Sequence, residues 1–323
     1  MGILAMGSAI LGCSPNNSGN VLAECQTLSS MAAPVTPLVK GTIFTIIVEN
    51  HSASEVFESK TGAKFMTKMA IEYSTALGYH DSFVHPSEAN YLWMVSGQNF
   101  DILDDQDPIG HHLASTSHLA DQIESAGLTW KTYQEAMGEP CGLKSHGRYA
   151  AKHNPFVFFD DINGWDGNQF QFSQRCVDHV VDYAELDKDI AANHVPDYVF
   201  ITPDLDNDMH DGSIGQADKW LEREIGKIMA SDAYKKGGVI FLMGDEGGGY
   251  PASDDPPFII ISDLVKKGFV SKVDYDTSSY LKTVQALLGV AHLPCDPGRS
   301  DVSAMDDMFQ APLTTEVAAL PQS

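Results

Sequence analysis

Along the chain, unbroken apolar runs alternate with stretches whose apolar residues recur every three or four positions. The run at 42–48, TIFTIIV, lacks any polar alternation, the pattern of a strand buried on both faces of a helix-covered parallel sheet. LTWKTY, PDYVFITPD, GVIFLMGDE and PPFIIISDL read as further strands. Between them, Phe65, Met66, Met69, Ala70, Tyr73 and Leu77 form a helical stripe over 63–77, closed by Gly78. Residues 113–126, 214–229 and 280–288 read as three more helices. Strands alternating with helices predict the α/β class, with a mostly parallel central sheet and helices on both faces. No repeat or second composition regime interrupts this pattern, so one domain is expected over 39–312. Before it come an apolar leader-like segment at 1–13 and a Ser-, Asn-, Pro- and Ala-rich tether at 14–38, and a tail follows at 313–323.

Three apolar runs end in polar clusters: Glu49-Asn50-His51, the stretch Asp204 to Asp211, and Asp245-Glu246 before three glycines. Parallel strands put their carboxyl ends on one edge of a sheet, where ligands of open α/β folds bind. Taken singly, each cluster reads equally well as a solvated loop or a helix cap. Together they predict a carboxylate-rich pocket, which needs a cation because like charges a few ångströms apart repel strongly. Oxygen ligands suit Ca²⁺, Mg²⁺ or Mn²⁺, and added His would admit Zn²⁺ or Fe.

Ser87 stands at the start of a predicted helix in HPSEANYLWMVSG. A Ser there often only caps the helix. The same position also offers free N–H groups and the positive dipole end, which hold phosphate oxygens, and a metal ion would activate the hydroxyl for attack. Asn90 lies three residues on, on the same side, where its amide could meet a non-bridging oxygen.

The net charge of −24 excludes a general affinity for nucleic acid or anionic membrane. An anionic substrate would then need a local positive charge, and a metal ion supplies one. Residues 10–13, Ile-Leu-Gly-Cys, resemble a bacterial lipobox, with Cys13 as a lipid-anchor site; a frayed apolar terminus is the plain alternative. The segment is too short to span a bilayer. Cys25, Cys141, Cys176 and Cys295 remain, an even number that suggests two disulfides in an exported chain, with all three pairings open. Export would be to the periplasm, the cell surface or the medium.

ENHSASEVF, HPSEANYLWMVSG, HLADQIESAGLTWKTYQE, AAKHNPFVFFDDI, PDYVFITPDLDNDMHDGS and FLMGDEGGG stand in an order that resembles the bacterial phosphoesterases of the alkaline phosphatase superfamily. That family includes secreted acid phosphatases and phospholipases C. The resemblance covers 42–294 and implies a three-layer alkaline-phosphatase-like sandwich. It implies metal ligation by Glu49 or Asn50, both carried as metal-site residues, and by Asp245 and Glu246. Ser87 aligns with the nucleophile and Asn90 with a phosphoryl contact. His210 is the expected proton donor, and Asp204, Asn207, Asp208 and Asp211 align with a region of further ligands or substrate contacts. His153 is expected at the pocket rim, His51 as a group that orients a ligand, and His111, His112 and His118 as surface or core residues. Departures are Ala89 for Pro, Glu246 for Asp or His, and Thr277 for His, the last favouring one metal over two. The resemblance implies a divalent-metal acid phosphatase acting on a small phosphate ester through a phosphoserine. A phospholipase C acting on a phospholipid head group and a non-catalytic surface lipoprotein are the alternatives.

Overall fold

The structure, a computed structural model, describes residues 37–58, 62–114, 118–248, 255–290, 293 and 303–313. The leader expected at 1–13 lies outside them, as do all but 37 and 38 of the tether, all but 313 of the tail, and Cys13, Cys25 and Cys295. The strands are β1 (Ile43–Val48), β2 (Ser74–Ala76), β3 (Tyr79–His80), β4 (Trp130–Gln134), β5 (Val180–Asp182), β6 (Tyr198–Thr202), β7 (Val239–Gly244), β8 (Phe258–Ile261), β9 (Phe269–Ser271) and β10 (Tyr275–Asp276). The helices that matter most here are α1 (Ala53–Glu58), α2 (Lys64–Glu72), α3 (Ser87–Ser96), α4 (Leu119–Ser125), α5 (Ile214–Ala230) and α6 (Thr277–Leu288).

Eight strands form one sheet in the order β5-β4-β6-β1-β7-β8-β2-β9, and β3 pairs with β10 apart from it. From β5 to β7 all neighbours are parallel. All six residues of β1 are buried, and the strand lies between β6 and β7. Its side chains alternate between two apolar layers. Ile43 and Ile47 join the layer of α3 and α6, where the Thr45 hydroxyl meets Tyr280 Oη at 2.7 Å. Phe44, Ile46 and Val48 join the layer of α2 and α5. Each such side chain contributes about 2 kcal/mol on burial, so both faces of β1 hold it in register.

Helix α5 buries Ala217, Trp220, Leu221, Ile225 and Ile228 at helical spacing, and the Ser213 hydroxyl caps it by accepting from Gln216 N. From its inner face Asp218 reaches α2 and accepts from Phe65 N and Met66 N at 2.9 and 2.8 Å. The start of α2 is therefore satisfied by another helix, since Ala63 offers no side-chain cap.

Three predicted elements differ. The helix expected over 63–77 stops at Glu72, where Tyr73 turns extended, and Ser74–Ala76 pairs as β2 with β8 and β9. Non-local pairing overrides the local stripe there. The helix expected over 113–126 shortens to α4, because Leu113 bridges to Phe159 and His118 caps the later start. PPFIIISDL forms β8 antiparallel to β7, which carries its trailing Asp263 to the edge opposite the polar tips of β1, β6 and β7. Cys141 and Cys176 form a disulfide with Cα atoms 5.3 Å apart.

Candidate active site

Strands β6, β1 and β7 are adjacent and parallel, so the segments that leave them meet at one edge. Backbone bonds continue beyond the strands: Glu49 N donates to Asp208 O at 2.7 Å, and Asp245 N donates to Val48 O at 3.1 Å. Glu49, Asp208 and Asp245 are thereby locked side by side, all fully buried. Asn50 turns left-handed, with φ of 45°, and its N–H points to Asp245 Oδ1 at 3.4 Å.

Helix α3 enters from the side. Its first residue is Ser87, only 2% exposed, whose Oγ donates to Glu49 Oε2 at 3.4 Å and also bears on Asp245. One turn later, Tyr91 donates its hydroxyl to Glu49 Oε1. Asn90 donates its amide to Val84 O at 2.8 Å and to Glu246 Oε2 at 3.4 Å. That Glu246 oxygen also meets His85 Nδ1 at 2.7 Å.

The electrostatics are those of several carboxylates crowded together in a buried site. Burial first, then Asp245 and Asp208, push Glu49 well above the usual carboxylate range. Burial and the adjacent Glu246 do the same to Asp245. Asp208 is pushed up to about 8, chiefly by burial, and Glu246 is raised by burial against the pull of His85. Buried polar atoms are ordinarily hydrogen-bonded, yet Asn50 Oδ1, Asn90 Oδ1, Asp208 Oδ2, Asp245 Oδ2 and His153 Nε2 have no hydrogen-bond partner among the described residues. A set of inward-facing oxygens at the junction of three carboxylates fits a divalent cation. Glu49, His153 and His210 add a group whose donor atoms lie within 4.8 Å of one another. A second such group, His118, Asp121 and Asp161, already holds a positive charge: Arg175 bonds Asp121, Asp161 and Glu124.

The structure brings together Glu49, Asn50, Asp245, Ser87, Asn90, His153 and His210, and joins Glu246 to them through Asn90. His153 is 1% exposed, deeper than the expected rim position. Its ring stacks on Tyr91 with centroids 5.0 Å apart, Nε2 lies 3.5 Å from Glu49 Oε2, and Nδ1 lies 3.7 Å from Asp208 Oδ2. Burial pushes this imidazole well below its ordinary value. His210 faces it with ring centroids 5.7 Å apart and bonds Asp211 Oδ1 at 2.9 Å.

Three other expected residues serve the loop around the site. Asp204 Oδ1 accepts from Asp206 N and Asn207 N, both at 3.0 Å, and so shapes the turn. Asn207 turns its amide to Glu135 Oε2 at 3.0 Å, and Asp211 pairs with Arg148 at 2.8 Å. His51 bonds Glu55 Oε2 at 3.2 Å on the first turn of α1, and among the described residues none of its bonds reaches a site residue. Thr277 is buried at the start of α6, with Oγ1 3.4 Å from Tyr79 Oη. Tyr91, His85 and Lys152 belong to the site without having been singled out by spacing. Tyr91 carried a signal in its i,i+4 relation to Ser87, and His85 and Lys152 stand inside the quoted segments HPSEANYLWMVSG and AAKHNPFVFFDDI.

A profile described as the Phosphoesterase family matches residues 47–291. A probable acid phosphatase of Kluyveromyces lactis is 26% identical over 270 residues, covering 80% of this chain and 61% of that protein. A phosphatidylinositol-3-phosphatase of Mycobacterium tuberculosis is 26% identical over 262 residues, covering 80% of this chain and 81% of that protein. The lipoteichoic acid synthase LtaP of Listeria monocytogenes shares the fold, with a TM-score of 0.55 at 12% identity over 90% of this chain and 80% of that one. The chain spans 55% to 63% of the length of three fungal acid phosphatases that it matches.

Proposed function

The chain belongs to the phosphoesterase family, and from that premise we propose that it hydrolyses phosphate monoesters as a metal-assisted acid phosphatase with Ser87 as nucleophile. The observation that carries this is the Ser87 hydroxyl at the first position of α3, against Glu49 and beside Asp245 in the carboxylate cage. Glu49, Asn50, Asp245 and Glu246 are the residues we assign to a divalent cation. When bound, such an ion lowers the pKa of a nearby hydroxyl and draws charge from the phosphoryl oxygens.

This chain's residues do the rest. Ser87 Oγ attacks phosphorus as its proton passes to Glu49 Oε2, to which it donates, and the positive dipole end of α3 faces the phosphoryl oxygens. Asn90 lines the same side and steadies Glu246, which bonds its amide. His210, held through Nδ1 by Asp211, gives a proton from its other nitrogen to the departing ester oxygen. His153, packed on Tyr91, closes the floor and keeps water from the nucleophile's far side. The alcohol leaves, Ser87 carries the phosphoryl group, and water then releases inorganic phosphate and restores the hydroxyl, with retention at phosphorus. Asp204, Asn207 and Asp211 shape the loop that presents His210 to substrate.

The Cys141–Cys176 disulfide supports an oxidising compartment and hence export. Among the described residues no helix is long and apolar enough to cross a membrane. Anchoring at Cys13 is part of the same proposal and concerns residues outside those described.

Ser87→Ala assayed with p-nitrophenyl phosphate, with and without EDTA, tests the assignment. Loss of about a thousand-fold or more in turnover is expected. Near wild-type turnover would sink it, and cleavage of phosphatidylcholine with no monoester turnover would favour a phospholipase C.

A further inference from the structure

Lys152 precedes the buried His153 on the turn Ala151–His153. Its Nζ donates to Asp105 Oδ2 at 2.6 Å, and the other oxygen of that carboxylate accepts from Glu88 N at 3.1 Å. Glu88 follows Ser87, so Asp105 ties this ammonium to the amino end of α3. An ammonium has three donors, of which Asp105 takes one. The side chain is 21% exposed, and its charge bears on Glu49, Asp245 and His153. Arg148, another cation at this edge, is bonded to Asp206 and Asp211.

A phosphate monoester held for attack by Ser87 carries up to two negative charges, and a diester carries one. The extra charge must be met beside four carboxylates, where a bound divalent cation leaves no excess of positive charge. We propose that Lys152 is a specificity-determining residue that receives the second anionic oxygen of a phosphate monoester and sets the site's preference for monoesters over diesters. The inference deepens the phosphomonoesterase reading above and rests on it. A diester offers an alkylated oxygen at that place, which accepts weakly and leaves the ammonium donors not taken by Asp105 without an anionic acceptor. Discrimination therefore comes from both an attraction and a penalty.

The test compares kcat/KM for p-nitrophenyl phosphate and bis(p-nitrophenyl) phosphate in the metal-loaded wild type, Lys152→Gln and Lys152→Arg. The Gln variant should lose about ten-fold or more of the monoester-to-diester ratio, the size expected for one charge-assisted hydrogen bond. Its inhibition constant for inorganic phosphate should rise in parallel, and the Arg variant should recover most of both. A purely structural role would lower the two esters together and leave the ratio unchanged, which would overturn the inference while the monoesterase reading stands. Wild-type turnover of the diester alone would overturn that reading and this inference with it. Thermal melting of each variant separates misfolding from lost discrimination, and the ratio is independent of the active fraction.

Discussion

The Tyr91 hydroxyl donates to Oε1 of Glu49, and this bond leaves Oε2 as the oxygen turned to Ser87 and His153. Tyrosine does two things at once here, because its ring also stacks on His153 at an interplanar angle of 10°. Tyr91→Phe keeps the stack and removes only the donor. Partners of metal-binding carboxylates typically set affinity by 10–100-fold, so Mn²⁺ affinity of the variant, measured by titration calorimetry, should fall by about ten-fold or more. Unchanged affinity would show that the bond does not orient Glu49 toward a cation.

The cage also predicts an exchange of stability for binding. Asp245 is fully buried against Glu246 and near Glu49, and its Oδ2 is unpartnered among the described residues. Asp245→Asn removes one of the repelling charges. In EDTA at neutral pH the variant should therefore melt above the wild type. With cation at a hundred-fold its dissociation constant, the wild type gains about 3 kcal/mol and should overtake the variant. Melting curves that keep the same order in both conditions would refute the cation assignment.

Asp218 makes a structural prediction away from the site. Its carboxylate accepts from Phe65 N and Met66 N, and it is only 4% exposed. Asp218→Ala strands both donors at the start of α2 and should cost about 1–3 kcal/mol in urea unfolding. Turnover of the folded fraction should stay at the wild-type level, since α2 contributes no site residue.

Much of this was legible in the chain because a fully buried parallel strand needs no alternation, and β1 reads as one from its composition alone. The convergence of Glu49, the stretch Asp204 to Asp211 and Asp245 followed from the rule that parallel strands share a carboxyl edge. Which members of that stretch turn inward did not follow. Asp208 is fixed by a backbone bond from Glu49, while Asp204 and Asn207 are drawn to loop amides and Glu135. His153 is expected at the rim only from the resemblance carried by AAKHNPFVFFDDI; the stack on Tyr91, distant in sequence, draws it inward. Strand β2 was hidden by a helical stripe that continues past Glu72, and its pairing partners lie far along the chain.

The last prediction concerns Glu88, next to Ser87 yet turned away from the cage. Its carboxylate is fully buried, accepts from Gln106 N at 2.6 Å and meets His111 Nδ1 at 2.8 Å, with Asp105 nearby and Asp104 on the far side of His111. Burial pushes it from 4.5 up to about 7. A carboxyl whose folded value exceeds its unfolded value holds its proton longer in the folded state. Its contribution to stability is thus fully present below about pH 4.5 and is lost as the pH rises through about 7, up to about 3 kcal/mol. Glu88→Gln cannot titrate, and its partners are unchanged. In urea unfolding at about pH 5 and pH 8, the wild type should lose more stability across the interval than the variant, by an amount set by this one group. Parallel losses in the two proteins would mean that Glu88 is ionised throughout and that His111 holds it as an ion pair.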